Sequence, residues 1–165
     1  MSIDYCNDSD ADFGFDEQEL LQTLVGATME LLECPFEVAV SVSVVKKDEI
    51  HRLNREYREI DSETDVLSFP MNEFEEAGIF DGEAFDGSMT SDPENGELML
   101  GDIVLCADRI RSQAAEYGHS EKREYAFLVV HSLLHLCGFD HIDDDERIVM
   151  EDKQRQILDS LSIVR

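Results

Sequence analysis

Positive charge is scarce in this chain: 13 Lys and Arg stand against 39 Asp and Glu, a formal net charge of −26 over 165 residues. That imbalance excludes a broadly electropositive nucleic-acid surface, because the field of the whole chain repels phosphate. Long apolar runs are missing too. None approaches the roughly 20 residues that a helix needs to cross a bilayer, so no membrane partner is expected. The opening Met1-Ser-Ile-Asp-Tyr-Cys-Asn-Asp8 has neither the positive start nor the apolar centre of a secretory signal. Cys6, Cys34, Cys106 and Cys137 are widely spaced and form no C-x-x-C pair. Nothing there suggests a disulfide framework, and the expected setting is a reducing cytoplasm.

The length suits one domain, residues 1–165, able to bury a real core. Residues 2–6 suggest a short edge strand. Asp16 with Glu19 fits a capping box, and Leu20, Leu21, Leu24, Val25, Thr28 and Leu31 supply a helical apolar face running to about Glu33. Val38, Val40, Val42 and Val44 alternate with Ala39, Ser41 and Ser43, the period of a half-buried strand. Asp48 is placed to cap a second helix whose apolar face is Ile50, Leu53 and Tyr57. Asp65 to Phe69 reads as a third strand closed by Pro70, and Leu98 to Cys106 as a fourth. Residues 107–117 form a short helix ended by Gly118, Ser120 caps the next helix, and Asp143 to Glu146 open the last one. That last helix carries Met150, Ile157, Leu158 and Leu161 on one side. The order β-α-β-α-β-β-α-α-α predicts an α+β (α/β-like) fold with a small mixed four-stranded sheet and about five helices.

Residues 72–97 differ in character, with nine acidic residues, four Gly, one Pro and no Lys or Arg. They read as an acidic insertion between two strands. Phe74, Ile79, Phe80 and Phe85 offer a way to dock it over a cleft as a lid, but a solvated surface loop is the favoured expectation. The basic residues are clustered as well: Lys46, Lys47, Arg52, Arg55 and Arg58 fall within thirteen positions. A local positive strip there survives the global field best at high salt, although a solvated helix face accounts for most of these residues.

The chemistry concentrates in His131-Ser-Leu-Leu-His-Leu-Cys-Gly-Phe-Asp-His141. The apolar run Tyr125 to Val130 leads into it as a buried helix. Four residues are slightly more than one helical turn, so His131 and His135 share a face. Gly138 tolerates the left-handed conformation that ends a helix, and His141 can then return toward the other two imidazoles. Three convergent imidazoles are the usual protein ligands of a zinc ion with an open fourth position, and they also suit nickel, cobalt or copper. A lone histidine on such a helix is usually a core residue; three of the five histidines at i, i+4 and i+10 around a helix-stopping Gly are not so explained. His51 and His119 lie in polar sequence and are expected at the surface. In zinc peptidases the residue after the first His is a Glu general base; here it is Ser132, which is not basic enough.

His131 to His141 resembles the H-G-x-L-H-L-x-G-Y/F-D-H signature of the YbeY family of bacterial endoribonucleases. Leu53-Asn-Arg-Glu-Tyr-Arg-Glu-Ile-Asp-Ser-Glu-Thr-Asp-Val-Leu-Ser-Phe-Pro70 and Leu100-Gly-Asp-Ile103 are similar to two further stretches of that family, in the same order. Ser132 stands where the family usually has Gly. The resemblance implies one zinc ion per chain, or nickel or another divalent metal, held by His131, His135 and His141, and a functional role for Arg58. It implies a single-strand-directed endoribonuclease in small-subunit ribosomal RNA maturation and ribosome quality control, with ribosomal RNA and the small ribosomal subunit as partners. The arginine suits phosphate physically, being planar and always charged; its bland alternative is a surface pair with Glu59 or Asp61. Asp140 and Asp102 are candidates to orient an imidazole, with turn or strand-end hydrogen bonding equally open. The rival functions are a non-catalytic assembly factor with a structural metal and a metallopeptidase.

Overall fold

A computed structural model describes residues 1–80 and 90–163. The strands are β1 (Ser2–Asn7), β2 (Val38–Val45), β3 (Val66–Pro70) and β4 (Leu98–Cys106); the helices are α1 (Glu17–Leu31), α2 (Lys47–Arg58), α3 (Ala107–Tyr117), α4 (Glu121–Leu136) and α5 (Asp144–Ser160). They form a mixed four-stranded sheet in the order β1-β2-β4-β3, with β3 antiparallel to β4 and the other pairs parallel. The expected order and class are those observed.

The valines of β2 act as their spacing implies. Val38, Val40, Val42 and Val44 are buried in the main core with α1, α4 and α5, while Val45 joins a smaller cluster of Ile50, Leu67, Val104 and Cys106 on the α2 side. The sheet is therefore covered on both faces. In β4 the pairing register slips opposite Ala39 and Val40, where Leu100 is the extra residue. Gly101 takes φ +139° at this bulge, and a Cβ there would run into the Phe69 carbonyl. Beyond the slip Ile103 and Leu105 face the main core, and Asp102, of the same parity as Val104 and Cys106, is exposed away from it.

Three helix ends differ from or refine the reading above. α2 is not capped by Asp48. Its N-cap is Lys46, which offers no side-chain acceptor, and the Lys47 N–H is instead taken by Asp108 Oδ2 of α3 at 3.0 Å. Tyr57, assigned to the apolar face of α2, is 62% exposed and stands edge-on to Phe69. His119 is not a surface residue. Its side chain is 4% exposed, and Nε2 lies 2.7 Å from Oε2 of the buried Glu124, whose other oxygen accepts from Gln113 Nε2 at 2.8 Å. This bridge joins α3 to α4 across the Gly118 turn. His51, in contrast, makes an exposed contact with Asp61 at 2.8 Å.

The described part of the acidic stretch is anchored at Phe74, Gly78 and Phe80, while Glu73, Glu75, Glu76 and Ile79 are exposed. Phe80 is buried, Phe74 packs against it at 5.3 Å between ring centroids, and the Gly78 N–H donates to the Cys137 carbonyl at 2.9 Å. Phe74 also covers Gly138, where an added Cβ would sit 2.6 Å from the Phe74 Cβ. Burial of Phe80 and part of Phe74 anchors the segment, while Glu75 and Glu76 between them stay in water. Residues 81–89, including Phe85, lie outside the described residues, and so does that part of the expected lid.

Candidate metal centre

α4 positions the histidines. Ser120 accepts from the Arg123 N–H at 3.2 Å, and Glu121 and Glu124 place negative charge in the first turn, where the helix dipole favours it. Ten of its sixteen residues are buried, so the rotation of the helix about its axis is fixed by the core. At the other end Gly138 has φ +94°, its N–H donates to the His135 carbonyl at 3.0 Å, and the Phe139 N–H donates to Leu134 at 3.0 Å. These two bonds are a Schellman ending, and they swing the chain back over the last turn. His141 is thereby returned to His131 and His135, as the spacing had suggested.

The three histidines come together. One ring nitrogen from each lies within 4.8 Å of the others, and ring centroids are separated by 4.6, 5.6 and 5.1 Å. His135 Nδ1 is 2.9 Å from the Phe139 carbonyl, an acceptor only, so Nδ1 carries the proton and the Nε2 lone pair points inward. His131 Nε2 and His135 Nε2 are 3.1 Å apart. Two ligands of a tetrahedral zinc at about 2.05 Å are about 3.3 Å apart, so the donor set fits the ion.

Electrostatics keeps the rings ready. Burial, reinforced by the neighbouring His135 and His141, holds His131 down at about 4, against the opposing pull of Asp65 and a contact with Gln154. Burial also lowers His135. His131 is thus neutral at pH 7, and no proton has to leave it when a cation binds.

Around the histidines opens a cleft of about 520 Å³, lined among others by Arg58, Asp65, Ser68 and Asn72. Arg58 comes from the last turn of α2 and is close enough for its charge to act on His135. Among the described residues it makes no ion pair: Asp61 is engaged by His51, and Glu59 begins the turn after α2 with φ +58°. The surface-pair alternative is therefore not realised. Ser132 is fully buried and its hydroxyl is hydrogen-bonded to Ser68 of β3, which leaves it no access to the cleft as a base.

Neither candidate orienting carboxylate is hydrogen-bonded to an imidazole among the described residues, although Asp140 lines the cleft. Asp140 accepts from the His141 backbone N–H at 2.8 Å and so shapes the turn instead of gripping an imidazole. Asp102 is exposed on β4 and does not line the cleft. Two residues not singled out from sequence also neighbour the histidines. Asp65 lines the cleft, its Oδ1 accepting from the Val66 N–H at 2.8 Å. Gln154 of α5 is 3% exposed, donates Nε2 to the Phe127 carbonyl at 2.9 Å and touches His131. Its signal was present as a lone polar residue on the apolar side of α5 between Met150 and Ile157.

Comparison with known proteins agrees with this geometry. The family model described as endoribonuclease YbeY matches residues 5–162. The chain is 46% identical over 165 residues to the endoribonuclease YbeY of Lachnoclostridium phytofermentans and 45% identical over 165 residues to that of Agathobacter rectalis, covering all of both chains in each case. Among solved structures it is similar to the solution structure of TM1509 from Thermotoga maritima. That match has a TM-score of 0.58 and 26% identity, over 95% of this chain and 87% of the other. A fold, a convergent histidine cluster and full-length relatives of one kind lead to one conclusion: the chain belongs to the YbeY endoribonuclease family.

Proposed function

We propose that this chain, as a single domain over residues 1–165, is a metal-dependent endoribonuclease that cleaves single-stranded RNA in small-subunit ribosomal RNA maturation and ribosome quality control. One observation carries the reading: three convergent histidine nitrogens share a cleft with a guanidinium that forms no ion pair among the described residues. His131, His135 and His141 are the metal ligands, for one zinc ion or, with the same imidazole chemistry, nickel or another divalent transition metal. The bound ion supplies Lewis-acid activation of water and of a phosphoryl oxygen. Arg58 holds the phosphate by charge-assisted hydrogen bonds that strengthen as negative charge grows on its oxygens. Phe139, through its carbonyl, keeps His135 in the ligating tautomer. Ribosomal RNA and the small subunit are the expected partners, and the cytoplasm, where the buried thiols of Cys106 and Cys137 stay reduced, the expected location.

The test is cleavage of single-stranded ribosomal RNA by metal-loaded protein, chelator-treated protein and Arg58→Ala, with metal content measured on the same samples. Cleavage that needs both the ion and Arg58, at about one ion per chain, is the expected result. Removing the arginine should lower the rate about a hundredfold while the metal stays bound. Metal-loaded protein that cleaves no ribosome-derived substrate would instead favour an assembly factor braced by its metal.

A further inference from the structure

Two residues of the basic strip, Lys46 and Arg52, are neutralised by carboxylates. Lys46 pairs with Asp10 at 3.1 Å, and Arg52 pairs with Glu49 at 2.6 Å and Glu56 at 2.8 Å. Arg55 and Arg58 make no such pair among the described residues. At 100° per residue Arg58 lies between Arg55 and Tyr57 around the last turn of α2. Tyr57 leaves 62% of its surface in water, yet its ring is not loose: it stands against Phe69 at 5.5 Å between centroids and 73° between planes.

β3 is an edge of the sheet. Phe69 faces the α2 side of that edge, while Ser68 and Pro70 line the cleft on the other. Arg58 reaches the cleft and Tyr57 stays on the α2 side, so the two side chains straddle the edge strand. The end of α2 is fixed in place. Asn54, 2% exposed, donates Nδ2 to the Ser62 carbonyl at 2.9 Å, and its own carbonyl accepts from the Ile60 N–H at 3.3 Å.

We propose that Tyr57 is a stacking platform for one unpaired base of the RNA strand, which crosses the β3 edge with its phosphate on Arg58 and an adjoining phosphate attracted by Arg55. Unneutralised guanidiniums beside an exposed aromatic ring match a nucleotide, whose charge and π-face lie side by side, better than they match an apolar peptide. In a duplex the base faces are already stacked on one another, so the platform selects unpaired strands. This inference rests on the RNA-cleaving reading of the same site and adds the contact by which single strands are chosen.

The experiment uses metal-loaded full chain and a labelled single-stranded oligoribonucleotide, following cleavage kinetics and fluorescence anisotropy for wild type and for Tyr57→Ala, Phe, Trp and Leu. Tyr57→Ala should raise both KM and Kd about tenfold, with the loss falling on KM and not on kcat. Phe and Trp should restore binding and Leu should not, because Leu covers Phe69 without offering a π-face. Unchanged binding by Tyr57→Ala, or rescue by Leu as complete as by Trp, overturns the platform and leaves the ring as packing or as a protein contact. An equal loss toward a pre-annealed duplex overturns the selection of single strands. Wild type that binds but never cleaves sinks the nuclease reading while the anisotropy series still judges Tyr57. Wild type that binds no RNA overturns both.

Discussion

Gly138 shows how much one backbone position can carry. It ends α4 with φ +94°, returns His141 to the cluster, and leaves no room for a side chain beneath Phe74. Gly138→Ala meets both objections, a left-handed residue with a Cβ and a contact at 2.6 Å. It should cost about 1–3 kcal/mol by chemical denaturation and weaken zinc binding in competition with a chelator. Unchanged zinc affinity in that variant would mean that the turn does not place His141. The wider lesson concerns missed residues. The convergence of His131, His135 and His141 was legible from their spacing around a helix end, and Arg58 was marked by the resemblance. Asp65 was not legible, because no local pattern records that it lies beside the histidines, and Gln154 showed only as a lone polar residue on the apolar side of α5, with nothing in its sequence to point it at His131.

Among the elements, α2 depends on a neighbour. Its first turn has no cap of its own, and Asp108 at the start of α3 accepts the Lys47 N–H across sixty-one positions of sequence. Asp108→Ala should therefore lower the stability by about 1 kcal/mol, a shift of about 2–4 °C in the melting midpoint, whereas Asp108→Asn should retain most of it. Calorimetry of the two variants would separate a lost acceptor from a lost charge. The helices whose caps are local, α1 with Asp16, α4 with Ser120 and α5 with Asp143, were all readable from their first residues. Tyr57 and His119 were misplaced for a related reason. Helical periodicity says which residues share a face, and only packing says whether anything covers that face.

For the molecule as a whole, the candidate metal site couples charge, pH and stability. His131 has its pKa depressed to about 4. In the unfolded chain a histidine titrates near 6.5, so between those values the unfolded state binds the extra proton. Metal-free protein should consequently hold its stability above about pH 6.5 and lose it progressively as the pH falls toward 4, as melting in the presence of chelator would show. If zinc binds the three histidines in the folded form only, then at a free concentration of 100 times its Kd it should add about 2.7 kcal/mol, and that gain should shrink over the same pH range because protons compete for the same nitrogens. A melting midpoint indifferent to both zinc and chelator would count against a site that holds the ion in the folded chain.

Much about this protein was settled by local chemistry: the element order, the four-stranded mixed sheet, the caps at Asp16, Ser120 and Asp143, and a helix that presents His131 and His135 on one face. These follow from periodicity and end signals, which act over a few residues. Tertiary structure decided what needed distant partners: the bulge at Gly101 that turns Asp102 away, the burial of His119 against Glu124, the docking of Phe74 over Gly138, and the capping of α2 by Asp108. It also decided which charges stay free. In a chain of net charge −26 the folded arrangement shows that Lys46 and Arg52 find carboxylates and that, among the described residues, Arg55 and Arg58 do not.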